Sequence, residues 1–78
     1  MIEVRLKKAL ELYQAETGQK MTYEELASRT GLSKATLESL GSRLDYNATL
    51  RTIDRVCDAL SCDVSELLYY RPTGKNVD

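Results

Sequence analysis

The chain has 78 residues, with 11 basic and 12 acidic side chains, no histidine and a formal net charge of -1. This length accommodates one domain with a small core, and a hydrophobic content of 42% is typical of globular proteins. Without histidine or a glycine-rich loop, the sequence excludes histidine-dependent triads, phosphate-binding loops and histidine-ligated metals. Carboxylate chemistry stays formally possible, but acidic residues interleaved with basic ones indicate solvated helix faces, so we expect neither enzyme activity nor a cofactor.

Charged residues at the start of the chain bear on its location. Glu3, Arg5 and Lys7 interrupt the apolar residues, so this stretch matches neither a signal peptide nor a membrane span. We therefore expect a cytoplasmic protein with no membrane partner. The two cysteines, Cys57 and Cys62, are expected to be reduced, buried thiols in that compartment. Two cysteines without histidine do not complete a four-ligand zinc site, so no metal is predicted unless a dimer shares it.

The first two predicted helices are separated by a glycine stop and a new start signal. Thr22 is an N-cap, and Glu25 three residues later completes a capping box that opens a helix over Tyr23–Thr30. Before it, apolar residues at helical spacing predict a first helix over about residues 3 to 16, ended by Gly18. Its apolar stripe consists of Ile2, Leu6, Ala9, Leu10 and Tyr13.

Three further helices are predicted along the rest of the chain. Ser33 caps the third, over about residues 34 to 41. Asp63 opens a short fifth helix with a capping box to the glutamate three residues later, and Pro72 closes it. The fourth begins near Thr49, and its inward-facing residues are predicted to be Leu50, Ile53, Val56, Cys57 and Leu60.

No period-2 run is long enough to predict a strand, so the fold class is all-α with five helices. We assign residues 1–72 to a single domain. Residues 73–78 are expected to form a disordered C-terminal tail.

A very short turn joins the second and third helices. The letters GLS, from Gly31 to Ser33, make the two helices cross steeply, and Ala27 is small enough for them to approach closely. This arrangement is typical of the helix-turn-helix, whose second helix enters the major groove of DNA. A plain helical bundle with a glycine in one turn is the alternative that spacing alone leaves open.

The stretch YEELASRTGLSKATLESL, followed by TLRTIDRVCDALSCDVSELL, resembles the Cro-repressor or XRE-type helix-turn-helix domain, especially its short stand-alone bacterial or phage members. The likeness covers about residues 3 to 70. It implies a lambda-repressor-like bundle of five helices and a cytoplasmic transcription regulator, commonly a homodimeric repressor, that binds double-stranded DNA sequence-specifically. A protein-interaction module on the same fold, such as an antitoxin or anti-repressor with a protein partner, is the alternative.

The third helix is predicted to present a small, smooth outer face to DNA. At about 100° per residue, its core positions are Leu37, Leu40 and Gly41, and its outward positions are Ala35, Glu38, Ser39 and Ser42, flanked by Lys34 and Arg43. The Ala35 methyl suits a thymine methyl, Glu38 suits a cytosine amine, and Lys34 suits a guanine edge or a phosphate.

The resemblance assigns DNA contacts to two groups of residues. Positions that contact bases or nearby phosphates are Ser33, Lys34, Ala35, Thr36 and Ser39; positions that touch the backbone are Arg43, Asn47 and Thr49. Tyr23 stands where many members have a glutamine that contacts DNA, and its hydroxyl is expected to reach a phosphate instead. Gly41 and Arg43 stand where the family often has glutamate and then glycine, so the third helix is expected to end about a turn early.

The charge distribution favours weak binding by a single copy. Residues 19–43 hold four basic and three acidic side chains, a balance of +1, whereas residues 44–70 hold two basic and five acidic ones, a balance of -3. We therefore predict weak non-specific affinity, a shallow salt dependence and useful affinity only as a homodimer. The candidate dimer contacts are Leu68, Tyr69 and Tyr70, which cannot all point inward from the fifth helix, together with Val4 and Leu12.

Overall fold

The computed structural model of the protein describes residues 1–43 and 46–72. The five predicted helices are confirmed, and two short strands join the ends of the described chain. The elements in order are β1 Ile2–Val4, α1 Leu6–Thr17, α2 Tyr23–Thr30, α3 Lys34–Ser42, α4 Leu50–Leu60, α5 Val64–Leu67 and β2 Leu68–Tyr70. The predicted tail at residues 73–78 lies outside the described residues.

Helix starts follow the capping residues in the sequence. The Thr22, Ser33 and Thr49 hydroxyls accept hydrogen bonds from backbone N–H groups three residues later, each at 3.1 Å. Asp63 opens α5 with its N–H donating to the Glu66 carboxylate at 2.9 Å, which confirms the predicted capping box. The box predicted at Thr22 is half formed, because the Glu25 carboxylate instead accepts from the Arg29 guanidinium at 2.9 Å.

The core lies where the helices meet. Its buried apolar residues are Val4, Leu6, Ala9, Met21, Leu26, Leu37, Leu40, Ile53, Val56, Leu60 and Leu67. Two residues predicted on inward-facing apolar stripes are wrong, because Leu50 is 82% exposed and Ile2 is 60% exposed. Leu50 is the first residue of α4, and burial along this helix begins only at Ile53. Helical spacing fixes the face of a residue but not whether another element covers it.

The ends of the predicted first and fifth helices are strands instead. β1 and β2 pair antiparallel, with Ile2 opposite Tyr70 and Val4 opposite Leu68. The fifth helix therefore stops at Leu67, well before Pro72, and the first begins at Leu6 rather than near residue 3. Strands of three residues are too short to leave an alternating pattern, and their stabilising partner lies at the other end of the sequence.

The buried carboxylate of Glu3 stabilises this small sheet. Glu3 is 3% exposed, and its carboxylate accepts from the Arg71 Nε at 2.6 Å and from the Arg5 guanidinium at 3.0 Å. The Arg5 guanidinium also lies 4.1 Å from the centre of the Tyr69 ring. Both arginines hold the pKa of Glu3 below its usual value, Arg71 more strongly than Arg5. The charged form of Glu3 is therefore the one that the fold stabilises.

This carboxylate gives the protein a specific acid sensitivity. Because the folded pKa of Glu3 is lowered, its stabilising contribution is present above the unfolded pKa of about 4.3 and is lost as pH falls through the folded value. We expect Glu3→Gln to lower the Tm at neutral pH and to flatten its decline in acid. Thermal unfolding measured over a pH series checks this, and an equally steep acid decline in the variant would contradict it.

The two cysteines meet where α4 turns into α5. Both are free and half-buried rather than buried as predicted, and the Cys62 backbone N–H donates to the Cys57 carbonyl at 3.0 Å. Burial, followed by the neighbouring Cys57 thiol, raises the pKa of Cys62 to about 12. A raised pKa disfavours the thiolate form at neutral pH and so lowers the reactivity of these thiols as nucleophiles.

Candidate nucleic-acid interface

The angle between α2 and α3 is fixed by the turn that joins them. Gly31 has φ of 75°, in the left-handed region, and its N–H donates to the Ala27 carbonyl at 2.9 Å. The buried Thr30 hydroxyl donates to the Leu26 carbonyl at 2.7 Å and accepts from the Leu32 N–H at 3.2 Å. The turn is therefore hydrogen-bonded on both sides, and it presents α3 in a single orientation.

The outer face of α3 is small, and only some of its side chains are exposed to solvent. Lys34, Ala35 and Glu38 are exposed, whereas Thr36 and Ser39 are half-buried. Leu37 and Leu40 lie in the core as predicted. The Ser33 hydroxyl donates to the Thr36 hydroxyl at 2.9 Å, so these two residues shape the start of the helix as well as lining it.

Lys34 is held by a partner that the sequence analysis did not identify. Its Nζ lies 2.7 Å from the Glu24 carboxylate, between the first turn of α3 and the first turn of α2. Hydrogen bonding in this pair raises the pKa of Lys34 and lowers that of Glu24. Both side chains are at least half exposed, so the pair is open to exchange with solvent ions.

Tyr23 and Gly41 depart from the family pattern together. α3 continues through Gly41 to Ser42, so the prediction that it ends a turn early is wrong. A Cβ at position 41 would overlap the Tyr23 hydroxyl, so the tyrosine fills the space of the absent side chain. Burial, and then the charge of Glu38, raises the pKa of Tyr23. Tyr23 packs on α3 with its half-buried ring, and its hydroxyl points toward this helix.

The segment after α3 carries the remaining predicted contacts. Arg43 is exposed at the end of α3, and its guanidinium lies 5.6 Å from the centre of the Tyr46 ring. Asn47 is exposed, and Thr49 is exposed as the N-cap of α4. Each side chain is accessible from the surface.

Comparison with known protein families matches residues 18–73 to the Cro/C1-type HTH DNA-binding domain. The match spans well over half of the chain and includes α2, the turn, α3, α4 and α5. The chain belongs to the Cro/C1-type helix-turn-helix family. This confirms both the resemblance and the helical fold class, and it supports DNA binding as the activity. No curated protein matches the chain.

The Cro/C1-type domain has a groove beside its helix-turn-helix that both apolar and charged residues line. This groove of about 600 Å³ runs between α1 and the start of α2, and three lysines from separate segments line it: Lys7, Lys20 and Lys34. Only Lys34 was predicted as a site residue. Neither Lys7 nor Lys20 belongs to a sequence motif, and only the packing of α1 against the helix-turn-helix brings them to the same groove.

The residues that the structure describes bear on two other kinds of feature, a metal site and a membrane-spanning helix. Across residues 1–43 and 46–72, no group of three or more Cys, Asp or Glu side chains is placed to hold a metal ion. In the same residues, no helix is long and apolar enough to cross a membrane.

Proposed function

We propose that the protein is a sequence-specific transcription regulator of the cytoplasm that reads double-stranded DNA with α3 in the major groove. The observation that supports this most strongly is the exposed start of α3, held in one orientation by the hydrogen-bonded turn at Gly31 and Thr30. A helix presented in this way fits the width of the major groove.

Direct reading of bases falls to the exposed residues of α3. Ala35 offers a methyl group to a thymine, and Glu38 offers an acceptor to a cytosine amine. Lys34 reaches a guanine edge or a phosphate once it leaves Glu24. Ser39 is half-buried, so its hydroxyl contributes only where the helix enters the groove closely.

Backbone contacts position the helix in the groove without reading sequence. Arg43, Asn47 and Thr49 are exposed along the segment that follows α3, where a DNA strand bordering the groove would pass. The Tyr23 hydroxyl lies against Gly41, so Tyr23 supports α3, and the same residue lines the groove between α1 and α2, close to where a phosphate contact is predicted. Ser33 and Thr36 contribute first through the cap of α3.

We infer a homodimeric repressor, because the few cations of one domain neutralise few phosphates and a two-fold operator doubles the contacts. A domain bound at an operator blocks access of other proteins to that site.

The structure changes which residues are candidates for the dimer interface. Val4 is in the core and Leu12 is half-buried, whereas Ile2, Leu50 and Tyr70 are 60%, 82% and 64% exposed.

An uncharged apolar groove of about 310 Å³ supports this choice. Ile2 and Leu50 line it, and the other lining residues, Val4, Tyr46, Asn47, Ala48, Ile53 and Leu68, are all uncharged. Tyr70 lies directly opposite Ile2 in the sheet, so it shares the same face. An isologous contact packs the same patch of both subunits together, and an uncharged patch does so without like-charge repulsion.

The dimer is tested by one substitution and a matched control. We expect Leu50→Glu to shift the protein to monomer in sedimentation equilibrium, because two carboxylates would then be buried in one contact. Val64→Glu adds the same charge at another exposed apolar residue and should leave association unchanged. Equal self-association of the parent and Leu50→Glu would place the interface elsewhere.

The DNA-binding proposal is tested by selecting bound sequences from a random duplex pool at low salt. The purified protein should enrich a two-fold symmetric site with half-sites about one helical turn apart. The double variant Lys34→Glu, Arg43→Glu should enrich nothing, since it reverses two charges at the DNA surface. Failure of the parent protein to enrich any sequence would instead favour a protein-interaction module on the same fold.

A further inference from the structure

The groove between α1 and α2 collects cations from segments that are far apart in sequence. Lys7 comes from the first turn of α1, Lys20 from the loop before α2, and Lys34 from the start of α3. Two carboxylates, Glu11 and Glu24, line the same groove, which leaves a balance of +1. This balance contrasts with the chain as a whole, which has a net charge of -1.

Glu24 acts as an internal anion in this groove. Its carboxylate lies 2.7 Å from the Lys34 Nζ, the distance of a charge-assisted hydrogen bond. Both groups remain at least half exposed, so an external anion can replace the carboxylate with little rearrangement. Lys34 thus pairs with Glu24 in the free protein, and a DNA phosphate can take the place of Glu24 when DNA approaches.

We propose that this groove binds a backbone phosphate of DNA through Lys7, Lys20 and Lys34, and that Glu24 suppresses binding to non-specific DNA by competing for Lys34. The proposal rests on α3 lying in the major groove, as argued above. Lys34 belongs both to the outer face of α3 and to the protein groove between α1 and α2. A DNA strand that borders the major groove can therefore pass from the α3 face to this protein groove. Flexible, exposed lysines suit a phosphate as point charges.

The competition between Glu24 and phosphate lowers the affinity for arbitrary DNA. Non-specific affinity comes almost entirely from phosphate contacts and the counterions that they release. On any sequence, Lys34 must give up Glu24 before it gains a phosphate, so the gain is small. On the operator, the base contacts of α3 add to this gain, and the complex forms. Removal of Glu24 should therefore strengthen binding to arbitrary sequences.

The test is a series of fluorescence anisotropy titrations on a duplex of random sequence, with the full chain, over a range of NaCl concentrations. Lys7→Gln and Lys20→Gln should each weaken binding by about fivefold at low salt and reduce the salt slope; because the site binds one phosphate, the two reductions together should not exceed about 0.9. Glu24→Gln should strengthen binding by about fivefold and should make the salt dependence of binding steeper. All three residues are exposed, so these variants should fold like the parent.

Lys8→Gln is the matched control, because Lys8 follows Lys7 on α1 and is exposed but does not line this groove. Its affinity should stay within about twofold of the parent's. Results for Lys7→Gln and Lys20→Gln that match Lys8→Gln would overturn the phosphate site, and unchanged or weaker binding by Glu24→Gln would overturn the competition. A parent protein that binds no duplex even at low salt would overturn the DNA-binding function itself, which is a different outcome.

Discussion

Replacement of Ala35 by glutamate should reduce affinity for the selected operator by about 100-fold or more. Ala35 is exposed in the first turn of α3, where a methyl group lets the helix sit close to the bases. A carboxylate there meets the phosphates and the acceptor-rich groove, and it also prevents close approach. Contacts of this kind contribute about 1–3 kcal/mol each, and about 1.4 kcal/mol corresponds to tenfold in affinity. Anisotropy titration on the operator measures the loss.

Ala15→Glu provides the control for this loss. Ala15 is also an exposed alanine, but it lies near the end of α1, so the variant carries the same net charge away from the α3 face. It should bind the operator within about threefold of the parent, because surface charges at a distance are screened. If the two variants lost affinity equally, the effect would come from net charge, and α3 would have no special place in recognition.

Replacement of Leu37 by alanine should lower the free energy of unfolding by about 2–5 kcal/mol. Leu37 has no exposed surface, and it belongs to α3 while packing in the core with Leu26 of α2. Loss of its side chain leaves a cavity in the wedge that sets the angle between the two helices. In a domain this small, that is a large share of the total stability. Urea denaturation followed by circular dichroism measures the change.

Leu50→Ala removes the same atoms from a residue that is 82% exposed. At protein concentrations where the parent is monomeric, this variant should change the unfolding free energy by less than about 0.5 kcal/mol. A large loss in Leu50→Ala would restore the original interpretation of Leu50 as a core residue. A negligible loss in Leu37→Ala would mean that the core does not depend on the wedge between α2 and α3.

Helix starts were predictable because their causes are local. Thr22, Ser33 and Thr49 each cap a helix through a backbone N–H only three residues away. The left-handed glycines at positions 18 and 31 likewise follow from the adjacent helix end. A reader of the sequence sees both partners of such a contact within one short window, so the prediction and the structure agree.

The strands were not predictable because their causes are distant. β1 is held by β2 at the other end of the described chain, and Glu3 is held by Arg71. Each segment alone looks like an extension of the neighbouring helix, since Ile2 continues the apolar spacing of α1. The exposure of Leu50 was missed for a related reason, as it depends on which elements reach the first turn of α4.

The candidate site shows the same division. The exposed residues at the start of α3, Lys34 and Ala35, followed from helical periodicity once the cap at Ser33 was known. The ion pair between Lys34 and Glu24 joins residues ten positions apart, and it exists only because two helix starts lie side by side. The fit of Tyr23 against Gly41 also depends on how α2 and α3 cross. Neither this fit nor the ion pair could be predicted from the sequence.

The most direct test of the central claim is a titration of ¹⁵N-labelled protein with the selected operator, followed by amide chemical shifts. If α3 reads the major groove, the largest changes should fall at Lys34, Ala35 and Glu38, with smaller ones at Asn47 and Thr49. Changes concentrated on α5, or none at saturating DNA, would contradict the assignment of α3 as the reading helix.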